Sequence, residues 1–176
     1  LKAWPAAIPI LALALIPAPK ADFAPATIPV AALQSESGSF DWFESRTRAL
    51  TTGPALVLWP EEALPYDVMK SKHDWPKLLS LAKDIGSVIV LGTQQTGEGK
   101  AWFNTALTLD PTGKLGTHFK NHPVHFFDDG TPGTTAMPIL TPLGKVGTPV
   151  CFDCDHQGVV RRMTLAGAEM FAVPSM

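Results

Sequence analysis

Charge is scarce in this sequence: 17% of its 176 residues are Asp, Glu, Lys or Arg, against roughly 25% in an average soluble domain. The formal net charge is -2, so no excess of lysine and arginine is available to neutralise a phosphate backbone, which argues against nucleic acid as a partner. Cysteine is scarcer still. Cys151 and Cys154 are the two present; they stand too close together to be the disulfide framework of a small secreted protein, and they fix no redox compartment. No internal repeat is present, so a repeat array is not expected. A long apolar run is missing too. The stretch from Ala6 to Ile16 is strongly apolar but is bounded by Pro5 and Pro17, short of the ~20 residues a helix needs to span a bilayer. It reads first as the stump of a membrane helix and second as a Pro-rich arm packed on the domain. It reads least well as a signal-peptide core, because Lys2 is a weak positive flank and Pro17-Ala18-Pro19-Lys20 a poor cleavage site.

What the chain does have is apolar content, 45% of all residues, enough for one sizeable core in a single domain. Both ends read as cut. Residues 1–27 form an apolar, Pro-rich segment and linker, and residues 28–176 form the folded domain. Ile28 to Leu33 reads as its first buried strand, with Pro29 at the start. Phe40 to Leu50 fits an amphipathic helix and Ala55 to Trp59 a strand that stops at Pro60. Asp74 reads as the N-cap of a helix that starts at Trp75-Pro76 and ends at Gly86, before a strand from Ser87 to Leu91. Ala101–Leu109 and Lys114–Lys120 read as a hairpin joined by Asp110-Pro111-Thr112-Gly113. A loop over 128–136, a strand from Lys145 to Cys151, a helix from Gln157 to Ala166 and a strand from Met170 to Val173 follow. Alternating strands and helices with one antiparallel hairpin predict an α/β, layered α+β fold.

Three reactive side chains stand at or just beyond predicted strand ends: Glu61, Lys120 and Cys151. Strand ends are where folds of this class place their sites. A thiol just ahead of a helix is favoured as thiolate by the unpaired N–H groups there, and by any neighbouring ammonium. Acyl transfer to a thiol needs a base, an acid for the leaving group, and donors for the developing oxyanion. A carboxylate in a partly dry pocket can shuttle a proton near neutral pH, and a lysine beside it can serve as a fixed positive donor. Taken singly, each residue has a plainer reading: a solvated Glu, a surface Lys, a packed Cys.

The local wording of these segments is more specific. Leu56-Val57-Leu58-Trp59-Pro60-Glu61-Glu62-Ala63-Leu64-Pro65 comes first. Phe103 to Lys114 then leads into His118-Phe119-Lys120-Asn121-His122, and Gly147-Thr148-Pro149-Val150-Cys151-Phe152-Asp153 follows, with Val160-Arg161-Arg162, Gly167-Ala168-Glu169 and Val173-Pro174-Ser175 behind it. In this order the segments resemble the glutamate, lysine and cysteine motifs of the nitrilase superfamily of carbon-nitrogen hydrolases, from about Ile28 to the last residue. The resemblance implies a four-layer α-β-β-α sandwich that dimerises through its outer helices and is here incomplete at its C-terminal side. It implies hydrolysis of an amide or nitrile through a thioester on Cys151, with Glu61 as base, Lys120 and the backbone N–H of Phe152 holding the oxyanion, and no cofactor or metal. Trp59 is placed beside the substrate or in the core. A second carboxylate downstream of the lysine is common in the superfamily; here the resemblance points to Asp128, its shorter side chain met by a shifted loop. The residue two after the nucleophile is Asp153, where many members have Glu.

The apolar start and the Trp59-Pro60-Glu61 wording also resemble apolipoprotein N-acyltransferases. That resemblance implies an acyl-lipid donor, attachment to a membrane and a catalytic domain outside the cytoplasm; without it a cytoplasmic enzyme is expected. The lysine segment departs from that subfamily, reading His125-Phe126-Phe127-Asp128-Asp129-Gly130 in place of a Pro-Phe-Gly-Glu stretch. Competing readings are a thioredoxin-like C-x-x-C, for which too little chain follows Cys154, and a metal set of Cys151, Cys154 and His156 or of His118, His122 and His125, which lacks zinc spacing. A nitrilase-fold binding module without catalysis is a further alternative.

Overall fold

Side chains of the parallel strands alternate between two apolar cores, and this alternation sets the layering. The computed structural model describes residues 27–36, 38–50, 53 and 55–176. The larger sheet runs in the order β1 (Val30–Ala32), β2 (Leu56–Leu58), β3 (Val88–Thr96), β4 (Trp102–Asp110), β5 (Gly113–Phe119). Its first three strands are parallel, and β3, β4 and β5 pair antiparallel. A smaller sheet takes the order β6 (Ile139–Thr141), β7 (Gly144–Gly147), β8 (Met170–Phe171). The helices are α1 (Phe40–Arg48), α2 (Asp74–Ile85) and α3 (Gln157–Leu165).

Val57, Ile89 and Leu91 face one way and pack with Phe40 and Phe43 of α1 and Leu78, Leu81 and Ala82 of α2. The residues between them, Leu56, Val88 and Val90, face the other way and pack on Val146 and Ala172, with Leu143 and Met170, of the smaller sheet. On the far side of that sheet Val159 and Met163 of α3 form a third cluster with Ala136. The period of two in the strands thus builds four layers, α-β-β-α, as expected. Burying each large aliphatic in these cores contributes on the order of 1.5–3 kcal/mol before chain entropy is charged against it.

Several boundaries differ from the sequence-based expectation. β3 runs on to Thr96 because its polar end, Thr93 to Thr96, pairs with Trp102 to Thr105; the ladder overrides local composition. Helix α2 begins at Asp74, which sits in its first turn and donates its N–H to Ser71 Oγ at 3.0 Å, so Ser71 carries out the capping expected of Asp74. Strand β6 falls in a stretch with no strand expectation, and β7 stops at Gly147, four residues before Cys151. Among the described residues no helix is long and apolar enough to cross a membrane. The stretch from Ala6 to Ile16, and with it the membrane, arm and leader readings, lies outside the described residues.

Candidate active site

Glu61 follows β2 on a turn that lies directly over β3. Gly92 donates its N–H to Pro60 O (3.1 Å) and accepts from Leu64 N (3.1 Å). A Cβ on Gly92 would come within 2.4 Å of Pro60 O and 2.6 Å of Glu61 Cα, so glycine is required for this approach. Glu62 takes a left-handed φ of 48° and its carboxylate accepts from Gln94 Nε2 at 3.0 Å. Of the two adjacent glutamates, it is Glu61 that turns inward and is buried.

Lys120 leaves the end of β5 with its N–H bonded to Asn104 O (2.8 Å) and its own carbonyl bonded to Gly133 N (2.8 Å). Its side chain is 1% exposed, and Nζ lies 2.7 Å from Glu61 Oε1 and 2.6 Å from Asp129 Oδ2. Burial pushes the ammonium's pKa down, but the bonds to Asp129 and then Glu61 outweigh it and hold the pKa above lysine's ordinary value. The lysine is therefore a fixed cation, suited to stabilise negative charge and not to act as a base. Asn104, on β4, donates from Nδ2 to Glu61 Oε1 (2.8 Å) and to Asp129 Oδ1 (2.7 Å).

Two expectations for this site need correction. Asp128 does not reach the lysine: it is exposed, and its carboxylate accepts from Trp102 Nε1 at 3.4 Å. Asp129 takes that place, because the loop doubles back so that Val124 N–H donates to Asp129 Oδ2 at 2.7 Å, and Gly130, at a φ of 84°, turns the chain into a bridge with Phe103. Trp59 is not at a substrate surface either. It is fully buried, stacked on Phe43 with ring centroids 5.0 Å apart, and donates from Nε1 to Thr47 Oγ1 at 3.0 Å; alternation along β2 sends it to the α1 side with Val57.

Cys151 opens a 3-10 turn, Cys151–Asp155, in a left-handed conformation with φ 42°. A non-glycine residue there carries strain of about 1–3 kcal/mol, the kind that persists where the surroundings overdetermine it. The surroundings are two. Cys151 N–H donates to Pro174 O at 2.9 Å, and Asp153, fully buried, ties the turn to the residues after Lys120. Asp153 Oδ1 accepts from the N–H of Asn121 (2.9 Å) and of His122 (2.9 Å) and contacts His122 Nδ1 (3.2 Å). Oδ2 accepts from Val150 N–H (3.2 Å) and lies 3.0 Å from His118 Nε2. Burial acts to raise this carboxyl's pKa, but His118 and the backbone donors more than offset it and leave the pKa below the ordinary aspartate value.

Cys151 is half-buried and Cys154 exposed, both as free thiols; burial, then the charge of Asp153, pushes the Cys154 thiol's pKa up, away from reactivity. Phe152 lines a cavity of about 270 Å³ with Asn121, His122, His125 and His156. A larger cleft of about 450 Å³ runs along α3 past Cys154 and holds none of the expected site residues. Among the described residues no group of three or more His, Cys, Asp or Glu could hold a metal ion.

The molecule is thus a layered α-β-β-α sandwich whose strand ends converge on a buried Glu–Lys pair. The carbon-nitrogen hydrolase family model matches residues 24–176, and the chain belongs to that family. It is 31% identical over 102 residues to a nitrilase of Pyrococcus abyssi, covering 56% of this chain and 38% of that protein. It is 25% identical over 147 residues to an apolipoprotein N-acyltransferase of Geobacter metallireducens, covering 70% and 28%. An amidase from a Nesterenkonia species shares the fold with a TM-score of 0.72 at 21% identity, over 84% of this chain and 64% of that one. The chain thus spans 38% and 28% of the length of these two sequence relatives and under two thirds of that structure.

Proposed function

We propose that the protein hydrolyses the carbon–nitrogen bond of a small amide or nitrile through a thioester on Cys151. The observation that carries this reading is the buried cluster of Lys120 with Glu61 and Asp129, tied through Asp153 to the turn that bears Cys151. With an amide, Glu61 takes the thiol proton as sulfur attacks the carbonyl carbon, and the oxyanion is held by Lys120 and the backbone N–H of Phe152. The C–N bond then breaks as Glu61 returns the proton to the leaving amine. A water, deprotonated by Glu61, attacks the thioester and releases the acid, and the proton goes back to the thiol. Asp129 bonds the same ammonium that Glu61 bonds and helps keep it charged.

The amidase fold neighbour and the nitrilase relative support a small amide or nitrile as the substrate. The similarity to an apolipoprotein N-acyltransferase over 147 residues supports a second reading, transfer of the acyl group to an amine in place of water. Turnover of short aliphatic amides, compared with acyl transfer from phospholipid vesicles to an N-terminal cysteine peptide, decides between them. Cys151→Ala abolishes either activity with the fold intact, and Glu61→Gln and Lys120→Ala each slow it about 100- to 10,000-fold. Turnover retained in Cys151→Ala would sink the mechanism. A parent protein whose Cys151 alkylates no faster than a free thiol would point to a binding module on the same fold. Residues 28–176 as the catalytic unit and a homodimer through the outer helices belong to the same proposal, tested by truncation and by sedimentation.

A further inference from the structure

Asn104 carries an unusual set of contacts for a strand residue. It is 1% exposed, and its single amide nitrogen donates to Glu61 Oε1 at 2.8 Å and to Asp129 Oδ1 at 2.7 Å, one hydrogen to each carboxylate. The opposite amide orientation would set its oxygen against two carboxylate oxygens at those distances, so the donor assignment is chemically forced. The other end of the amide, Asn104 Oδ1, is buried with no hydrogen-bond partner among the described residues. An orphaned acceptor costs on the order of 1–3 kcal/mol, and a fold selected for stability alone would place an apolar side chain here. The backbone of the same residue also accepts the N–H of Lys120 at 2.8 Å. One residue thereby bonds both carboxylates through its side chain and fixes the backbone of the lysine through its carbonyl.

We propose that Asn104 is a positioning residue which, by bonding the same Oε1 that Lys120 bonds, leaves Glu61 Oε2 as the oxygen that exchanges a proton with Cys151. Both contacts recorded for the Glu61 carboxylate fall on Oε1. With two donors on that oxygen the carboxylate cannot rotate without losing charge-assisted bonds. Asn104 and the Lys120 ammonium each bond both Glu61 and Asp129, so the amide is the second bridge between the two carboxylates. The charged and polar groups that face the Glu61 carboxylate are Lys120 from the end of β5, Asn104 from β4 and, across the amide, Asp129 from the loop after Lys120. This inference rests on the hydrolase reading above.

The test is iodoacetamide alkylation of Cys151 followed by mass spectrometry across pH, on the full chain with Cys154 replaced by serine. Asn104→Leu keeps the volume and removes both donors. It is expected to slow alkylation about tenfold or more at neutral pH and to shift the midpoint of the pH–rate profile, since a carboxylate released from Asn104 no longer holds one oxygen toward the thiol. A structural role alone would lower stability and leave that midpoint in place. Asn104→Ser, whose hydroxyl can serve one carboxylate at a time, should fall between. A folded Leu variant with the parent's profile overturns the proposal. If both variants fail to fold, the parent still decides. The chain has two asparagines, Asn104 and Asn121, and Asn121 Nδ2 donates only to the carbonyls of Phe119 and Thr135, which do not titrate. With ¹⁵N-asparagine labelling, one side-chain amide must shift with the midpoint of the alkylation profile, and two pH-silent amides overturn the inference. Should Glu61→Gln and Lys120→Ala themselves leave alkylation unchanged, the hydrolase reading fails first.

Discussion

Glu61 and Lys120 stand at the ends of strands within the five-stranded sheet, whereas Cys151 stands on a turn four residues beyond the end of β7. The first pair is placed by backbone ladders: β2 against β3, β3 against β4, and β4 against β5 fix both chain directions, and the side chains meet at 2.7 Å as a consequence. The thiol is placed by side-chain chemistry. One buried carboxylate, Asp153, collects the donors of residues 121 and 122 and of Val150 and meets the ring of His118, and the strained φ of Cys151 persists inside that frame. Where many small backbone bonds share the task, a single substitution is absorbed; where one side chain holds two segments together, it is not.

That contrast can be broken most sharply at Asp153. Asp153→Ala leaves the N–H groups of Val150, Asn121 and His122 without their acceptor and is expected to cost about 3–5 kcal/mol, read as a lowered midpoint in urea denaturation. A loss under 1 kcal/mol would mean that the turn is held by other contacts. Gly92→Ala attacks the ladder side. Its Cβ would stand 2.4 Å from Pro60 O, so the Glu61 turn must move, with an expected cost of about 1–3 kcal/mol and a drop in turnover larger than the stability loss explains; unchanged turnover would show that Glu61 does not need this position.

Acid sharpens the same point. The pKa of Asp153 in the folded protein lies below its ordinary value, so the group stabilises the fold above the ordinary aspartate pKa of ~3.9 and that contribution is lost as pH falls through and below it. Stability of the parent should therefore drop more steeply below about pH 4 than that of Asp153→Asn, compared by urea midpoints at pH 3 and pH 6; parallel curves would remove Asp153 from the account. The smallest effect is expected at Cys154, exposed and outside both frames. Cys154→Ser should change stability by less than ~0.5 kcal/mol and leave turnover as it was, and a measurable loss of turnover would reopen the C-x-x-C reading.

Much of this was legible before any coordinates. Continuous apolar runs predicted β2 and the start of β3 as strands, the Asp110-Pro111-Thr112-Gly113 turn predicted the β4–β5 hairpin, and motif order brought Glu61, Lys120 and Cys151 forward together. The errors have a common physical origin. Asp128 and Asp129 are chemically identical and one residue apart, and only the doubling back of the loop from Val124 decides which faces the lysine. Trp59 stands two residues from Glu61, but the pleat of β2 points it into the helix layer. Asn104 was visible as a polar residue on a buried strand face, between Phe103 and Thr105, yet its meaning depends on a glutamate 43 positions away.

The sequence by itself determined the class of fold and most of the order of its elements, because periodicity and turn chemistry are local properties of the chain. Which carboxylate meets the lysine, which amide stands between the two acids, and how the cysteine turn is fastened to the lysine strand were decided by tertiary structure alone. Each is a contact between segments distant in sequence, and its energy exists only once burial has removed the water that would otherwise satisfy the same groups.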